Sequence, residues 1–442
     1  MKNSSHFPQR RESSGFTLVE VLVSSVLVVA IMMLLLGTVD QTQRLWQRSR
    51  SKTTQFQSAR AAFEAMSRRV AQATLNTYWK AHEVDIRGET SDFRFRRQGE
   101  MQFVSGPTVR FFNAAPKIAN LNAPVDENYP THAMFFSAPL GYTEYVDPNS
   151  TVPDLKKFRA LDSLMTACGY FIEFGDDPSV PSFLTDKSIM KIPAPARYRY
   201  RLMEFTMPSE KFNLYARPVD DGWSNDPRIF DETTTATVAK YYGGLVNATR
   251  QPITSFVRPL WMKEAFLRKT YGSGDPPAYR FQYAHPLAEN IVALVVLPKL
   301  ATKDRVNSGT TTPNPDVLEL APKYEYDSWR VLSGADAQDP VHNAVTLDNR
   351  ARDNLLPPIV QLTMVAIDEP STLRMDLKLS GKPDWSQGIF KNADRETTHL
   401  DNIAKLEKAI RDDPDNKNIN YRIFTTDVII RGSKWSRDPK SP

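Results

Sequence analysis

The chain has 442 residues, of which 41% are hydrophobic and 24% charged, with a formal net charge of +5. That length accommodates one large domain or two modest ones, and so mild a charge gives no footing for nucleic-acid binding. A single cysteine, Cys168, excludes an internal disulfide and a Cys-rich zinc site, so a fold carried into an oxidising compartment rests on its core.

Residues 1–15 form a polar leader containing Lys2, Arg10 and Arg11 and ending at Gly15. Residues 16–37 are almost uninterruptedly apolar, long enough for one transmembrane helix. Glu20 breaks the pattern. A carboxylate inside a membrane helix costs about 2.5–3.5 kcal/mol, so it requires a partner. Gly37-Thr38-Val39-Asp40-Gln41-Thr42 offers no small-residue cleavage site, which argues against an ordinary secretory signal.

No proline lies between Pro8 and Pro107 and no glycine between Gly37 and Gly88, so the helix is expected to run on. Thr42, Leu45, Ser49, Phe56, Ala59, Phe63, Met66, Val70, Ala73 and Thr77 recur mostly at three- and four-residue steps, with Lys52 interrupting them, which predicts an amphipathic continuation over 38–80. Gly37 could allow local bending, and Arg60, Arg68 and Arg69 read as a solvated face.

Thereafter the composition shifts to short β-type segments and loops, with 31 of the 32 prolines lying beyond Pro8. Strands are predicted at Asp92–Arg96, Met101–Ser105, Ala133–Ser137, Cys168–Phe174, Tyr198–Thr206, Asn290–Leu297, Ile359–Ile367, Thr372–Leu379 and Ile419–Arg431. The opening of Tyr198-Arg199-Tyr200-Arg201 alternates ring and charge, as in a strand with one wet face. Helices are predicted at Leu260–Lys269 and Leu400–Arg411, and polar loops at 113–129, 217–237 and 302–315. The expected class is α+β: a long N-terminal helix, transmembrane then amphipathic, packed on an elaborated antiparallel β-rich head over 81–442.

The chain carries no Walker A loop, no Gly-x-Gly-x-x-Gly after a strand, no His-Glu-x-x-His and no Gly-x-Ser-x-Gly. His6, His82, His132, His285, His342 and His399 lack ligand spacing, His285 before Pro286 reads as a turn residue, and Cys168 reads as a buried small hydrophobe. The paired carboxylates Asp176-Asp177 and Asp220-Asp221 sit beside turn residues, so no catalytic role is expected of them. Asp412, Asp413 and Asp415 crowd oxygen ligands after a helix, a weak calcium pattern set against a solvated helix-ending turn.

Gly15-Phe16-Thr17-Leu18-Val19-Glu20 at the leader–apolar junction resembles the processing signal of type IV prepilins and type II secretion pseudopilins. The resemblance implies cleavage after Gly15 by a prepilin peptidase and N-methylation of the new terminus, Phe16. It also implies that Glu20 sets assembly register by pairing with the terminal amine of a neighbouring pilin-like subunit. The head is then pilin-like, outside an inner membrane crossed once, with the N-terminus cytoplasmic and the head periplasmic. Leu355-Leu-Pro-Pro-Ile-Val-Gln-Leu looks like the late strand of J-type minor pseudopilins. Tyr200-Arg-Leu-Met-Glu-Phe, Pro286-Leu-Ala-Glu-Asn-Ile-Val-Ala-Leu and Tyr421-Arg-Ile-Phe-Thr-Thr-Asp-Val resemble the Verru_Chthon cassette protein C family. The rival expectation is a membrane-anchored extracytoplasmic enzyme or glycan-binding module.

Overall fold

The computed structural model describes residues 17–86, 90–108, 130–143, 163–176, 198–212, 260–265, 268–271, 278–281, 283–305, 314–318, 320–328, 354–375, 385–386, 388–414 and 418–433. The chain divides into two compact units, Met1–Gln55 and Phe56–Pro442. Helix α1, Leu18–Val70, contributes its first part to the first unit and its last turns to the second.

In the first unit every side chain described from Thr17 to Gln43 is exposed. Leu18–Gln43, 26 residues, is apolar and long enough to cross a membrane, and helix continues through Gly37. At 1.5 Å per residue that stretch measures about 39 Å against a hydrocarbon core of about 30 Å.

In the second unit Ala59, Phe63, Met66, Val70 and Ala73 of the predicted stripe form a buried seam that Ala62 joins, while Phe56 and Thr77 are half-buried; Thr42, in the first unit, is exposed. The helix stops at Val70, short of the predicted end at residue 80. Gln72 and Ala73 donate back to Arg69 and Val70 in a tightened last turn, after which Thr74 N donates to Ser137 O at 2.8 Å and Arg431 N to Ala71 O at 3.2 Å. The Asn76 side chain then accepts the N–H groups of Glu100 and Met101, and Tyr78 opens a strand. Backbone partners from the sheets replace the next helical turn.

The strands are β1 (Tyr78–Ile86), β2 (Thr90–Gln98), β3 (Val104–Pro107), β4 (His132–Pro139), β5 (Met165–Asp176), β6 (Tyr198–Met207), β7 (Arg268–Tyr271), β8 (Ala278–Phe281), β9 (Ala284–Glu289), β10 (Ile291–Lys299), β11 (Tyr326–Asp327), β12 (Ile359–Ile367) and β13 (Tyr421–Ile429). Two further helices are α2 (Glu369–Arg374) and α3 (Glu396–Arg411). Among the described residues β11-β3-β4-β5-β6-β9 form a six-stranded sheet and β10-β12-β13 a three-stranded one, while β1-β2 and β7-β8 pair as two-stranded sheets. Every pairing is antiparallel, so the fold is α+β.

The six-stranded sheet is covered on both faces. Met134, Phe136, Cys168, Tyr170 and Leu202 join the α1 seam and the apolar residues of β10 and β12 in one core. Their strand neighbours Phe135, Phe171 and Phe205 point the other way, into a second core closed by Trp261 and Met262 of the 3-10 helix Leu260–Ala265. Where β4 pairs with β5 the Phe135 ring lies over Gly169, and a Cβ there would collide with it.

Several expectations are corrected. The alternation at Tyr198 predicted one wet face, but β6 is buried on both. Its arginines are accommodated by distant carboxylates: Arg201 meets Glu173 at 2.9 Å, and Arg199 meets Glu369 at 2.6 Å and Glu289 at 3.1 Å. The strand predicted over Thr372–Leu379 begins inside α2. Asp368 accepts from Ser371 N at 3.0 Å and Pro370 occupies the first turn, a helix start that outweighs the apolar alternation. The helix predicted over Leu260–Lys269 is a 3-10 turn ending at Ala265, with β7 starting at Arg268. His285 lies in β9, not in a turn. The loop predicted over 302–315 starts as the 3-10 turn Thr302–Asp304; those over 113–129 and 217–237 lie outside the described residues.

Candidate assembly site and the polar centres of the head

Gly15 and Phe16 lie outside the described residues; Thr17 and Glu20 lie within them. The Thr17 hydroxyl accepts the Glu20 N–H at 3.3 Å, and the Thr17 carbonyl accepts those of Glu20 and Val21 at 3.0 and 3.2 Å. Thr17 therefore caps α1, and Thr17-Leu18-Val19-Glu20 has the spacing of a capping box. The Glu20 carboxylate sits in the first turn, where the helix dipole favours negative charge. This local role is present in the sequence as Thr-x-x-Glu.

The serine and threonine hydroxyls of the apolar stretch are turned inward on their own helix. Ser24 Oγ donates to Glu20 O at 2.7 Å, Ser25 Oγ to Leu22 O at 2.8 Å, Thr38 Oγ1 to Leu35 O at 2.8 Å and Thr42 Oγ1 to Thr38 O at 2.7 Å. No unsatisfied hydroxyl donor is carried into an apolar surrounding. Glu20 differs: among the described residues no ion pair reaches it. A shallow depression lined by Thr38, Val39, Thr42, Gln43 and Trp46 holds no titratable side chain and offers no acid–base chemistry.

In the head, Arg69 from the last turn of α1 reaches the buried Glu204 of β6. Tyr170 OH donates to the same carboxylate at 2.6 Å, and His285 Nε2 lies 3.2 Å from its second oxygen. Burial pushes the Glu204 carboxyl up, but the hydrogen bonds of His285 and Tyr170 and the Arg69 charge outweigh it, and its pKa falls below the ordinary value. Arg69, predicted to be solvated, instead fastens the helix end to the sheet. Cys168 beside this group is buried and its thiol is pushed up to about 12, first by burial and then by the Glu204 charge, so it stays protonated and unreactive.

A second centre joins residues far apart in sequence. His132 at the start of β4 lies 5.0 Å from the Tyr324 ring, and Tyr324 OH lies 3.0 Å from His399 Nδ1 on α3. Asn402 Nδ2 donates to the same hydroxyl at 3.0 Å. Burial lowers His132 to about 3 and His399 to about 4, so both are neutral at pH 7. Nothing in the spacing of two histidines on different elements announces this meeting.

The calcium pattern is described only in part. Asp412 ends α3, Asp413 Oδ2 accepts from Trp385 Nε1 at 2.6 Å, and Asp415 lies outside the described residues. Among the described residues no three His, Cys, Asp or Glu side chains converge on a metal position. Of the two carboxylate pairs, Asp176 ends β5, while Asp177, Asp220 and Asp221 lie outside the described residues. Comparison of the chain with family models, with curated proteins and with solved structures returns no match.

Proposed function

We propose that this chain is a prepilin-like, membrane-anchored subunit of minor pilin or pseudopilin character. Its N-terminal helix is a processing and assembly handle and its large β-rich head is the specialised part. The observation that carries the reading is Gly15-Phe16-Thr17-Leu18-Val19-Glu20 placed at the start of a fully exposed apolar helix. A prepilin peptidase cuts after Gly15, leaving a cationic amine at Phe16 that is then methylated. When helices of neighbouring pilin-like subunits bundle, that amine neutralises a neighbour's Glu20. A charge in an apolar setting persists when paired, so the pair rewards one axial register. The head stands outside the inner membrane and the N-terminus on the cytoplasmic side. The size of the head suits a low-copy position at a tip or priming complex.

Thr17 as the cap favours one rival, a plain anchor in which Glu20 only completes a helix start. Glu20→Gln separates the two, because glutamine serves a capping box as well as glutamate but cannot pair with an amine. In cells, the assembling subunit carrying Glu20→Gln inserts normally and drops out of the assembled fibre or tip complex. A plain anchor carrying the same change behaves as the unsubstituted chain in both respects.

A further inference from the structure

Just past the apolar stretch, α1 carries a run of cations that the helix itself mostly leaves unmatched. Arg44, Arg48, Arg50 and Lys52 follow Gln43, and the sequence has no carboxylate between Asp40 and Glu64. The helix is continuous through all of them. Arg44, Arg48 and Lys52 recur at every fourth residue, so the backbone sets them on one face, within about 80° of one another. Arg50 falls on the far side, one turn after Trp46. That side is the face of Thr38, Thr42 and Trp46, which line a shallow depression, and Trp46 is 66% exposed.

Such a ridge works against the helix that bears it. Like charges four residues apart repel, and both steps of the ridge, Arg44 to Arg48 and Arg48 to Lys52, are of that kind. Asp40 stands one turn before Arg44 and can offset it, but no carboxylate stands one turn from Arg48, Arg50 or Lys52. Later in the same helix the pattern is reversed. Glu64 stands one turn from both Arg60 and Arg68 and meets them at 2.9 and 3.9 Å. The cations of α1 in the second unit are thus matched within the helix, whereas the run next to the apolar stretch keeps an excess of positive charge.

The position of the run says what balances it. It begins at the residue after a stretch long enough to cross a membrane, and Lys52 lies about 12 Å beyond Arg44 along the helix axis. Lipid headgroups begin at that level, and the potential of an anionic leaflet acts over about 8 Å of water at physiological salt. An exposed tryptophan is characteristic of the same level. We propose that residues 44–52 of α1 form a collar for anionic phospholipid. Arg44, Arg48 and Lys52 on one side, and Arg50 next to Trp46 on the other, take the phosphates of headgroups in the leaflet where the apolar stretch ends. A helix that crosses the membrane brings these residues to headgroup level by itself, so the occupant is a lipid and not a second protein. The collar rests on the membrane-anchored reading of α1. It is independent of cleavage after Gly15 and of Glu20, and it stands on whichever side of the membrane the head lies.

The test uses the full chain in detergent micelles, with dioleoyl-phosphatidylglycerol or dioleoyl-phosphatidylcholine added and the retained lipid counted by native mass spectrometry. Each cation near an anionic leaflet is worth about fivefold, so the unsubstituted chain prefers phosphatidylglycerol by at least about 25-fold. The triple variant Arg44→Gln, Arg48→Gln, Lys52→Gln keeps Arg50 alone, and its preference falls below about fivefold; glutamine is a good helix former, so α1 persists. The double variant Arg60→Gln, Arg68→Gln stays within about twofold of the unsubstituted chain. Retention in phosphatidylcholine vesicles through an alkaline wash reads the anchor separately and is the same in all three. A chain washed out of those vesicles overturns the anchor and the collar together. A chain that stays in them but takes both lipids alike overturns the collar alone and leaves its cations to an acidic protein. A preference that survives the triple change, or falls as far in the double variant, overturns the collar as well.

Discussion

The two parts of α1 are one helix in sequence and two different objects physically. Between Leu18 and Val39 the large apolar side chains are exposed, and the few hydroxyls are closed onto the helix's own carbonyls. Between Ala59 and Val70 the large apolar residues Phe63, Met66 and Val70 are confined to one seam and buried, while Arg60, Glu64 and Arg68 remain outside. The first pattern suits a solvent that is apolar on every side, the second a sheet on one side and water on the other. Carboxylates mark the same difference. Glu173, Glu204 and Glu369 in the head each meet an arginine of the same chain, whereas no described ion pair reaches Glu20. On the reading proposed above Glu20 takes its partner from a neighbouring subunit, and on the rival reading it serves only as a cap.

The contrast can be broken at graded cost. The largest effect is expected where a head carboxylate loses a cation: Arg201→Met removes the arginine that meets the buried Glu173 at 2.9 Å and should lower head stability by about 3–5 kcal/mol, read as a shifted urea midpoint. An unchanged midpoint would show that water reaches that pair. Next comes the seam. Met66→Ala should cost about 2–5 kcal/mol of head stability, and Leu27→Ala in the exposed stretch less than about 0.5 kcal/mol while weakening membrane retention. Equal costs at the two positions would erase the distinction between the parts of α1. The smallest effect belongs to the cap: Thr17→Ala should destabilise the first turn of α1 by about 1 kcal/mol, seen as faster exchange of the Glu20 and Val21 amides.

How much of this was legible depended on the range over which each signal acts. The seam from Ala59 to Val70, the strand Ile359–Ile367 and the apolar span could be read because periodicity is local and each residue's neighbours in sequence are its neighbours in space. The end of α1 could not, because its stop is a hydrogen bond from Thr74 to Ser137 and another from Arg431 to Ala71. Arg199 and Arg201 looked wet for the same reason: their carboxylates arrive from Glu369, Glu289 and Glu173. The strands β7, β8 and β9 were missed because four to six residues are too few to show an alternation. At the candidate assembly site the motif was visible in full, including a Thr17 cap that went unread. The His132–Tyr324–His399 stack was invisible, since only the fold brings three such distant residues together.

Cutting and modification of the N-terminal stretch is the central proposal, and one measurement addresses it directly. Mass spectrometry of the protein extracted from the membranes of cells with an active prepilin peptidase should find a chain beginning at Phe16 with a methylated amine. A chain that still begins at Met1, with Gly15 and Phe16 joined, would contradict it.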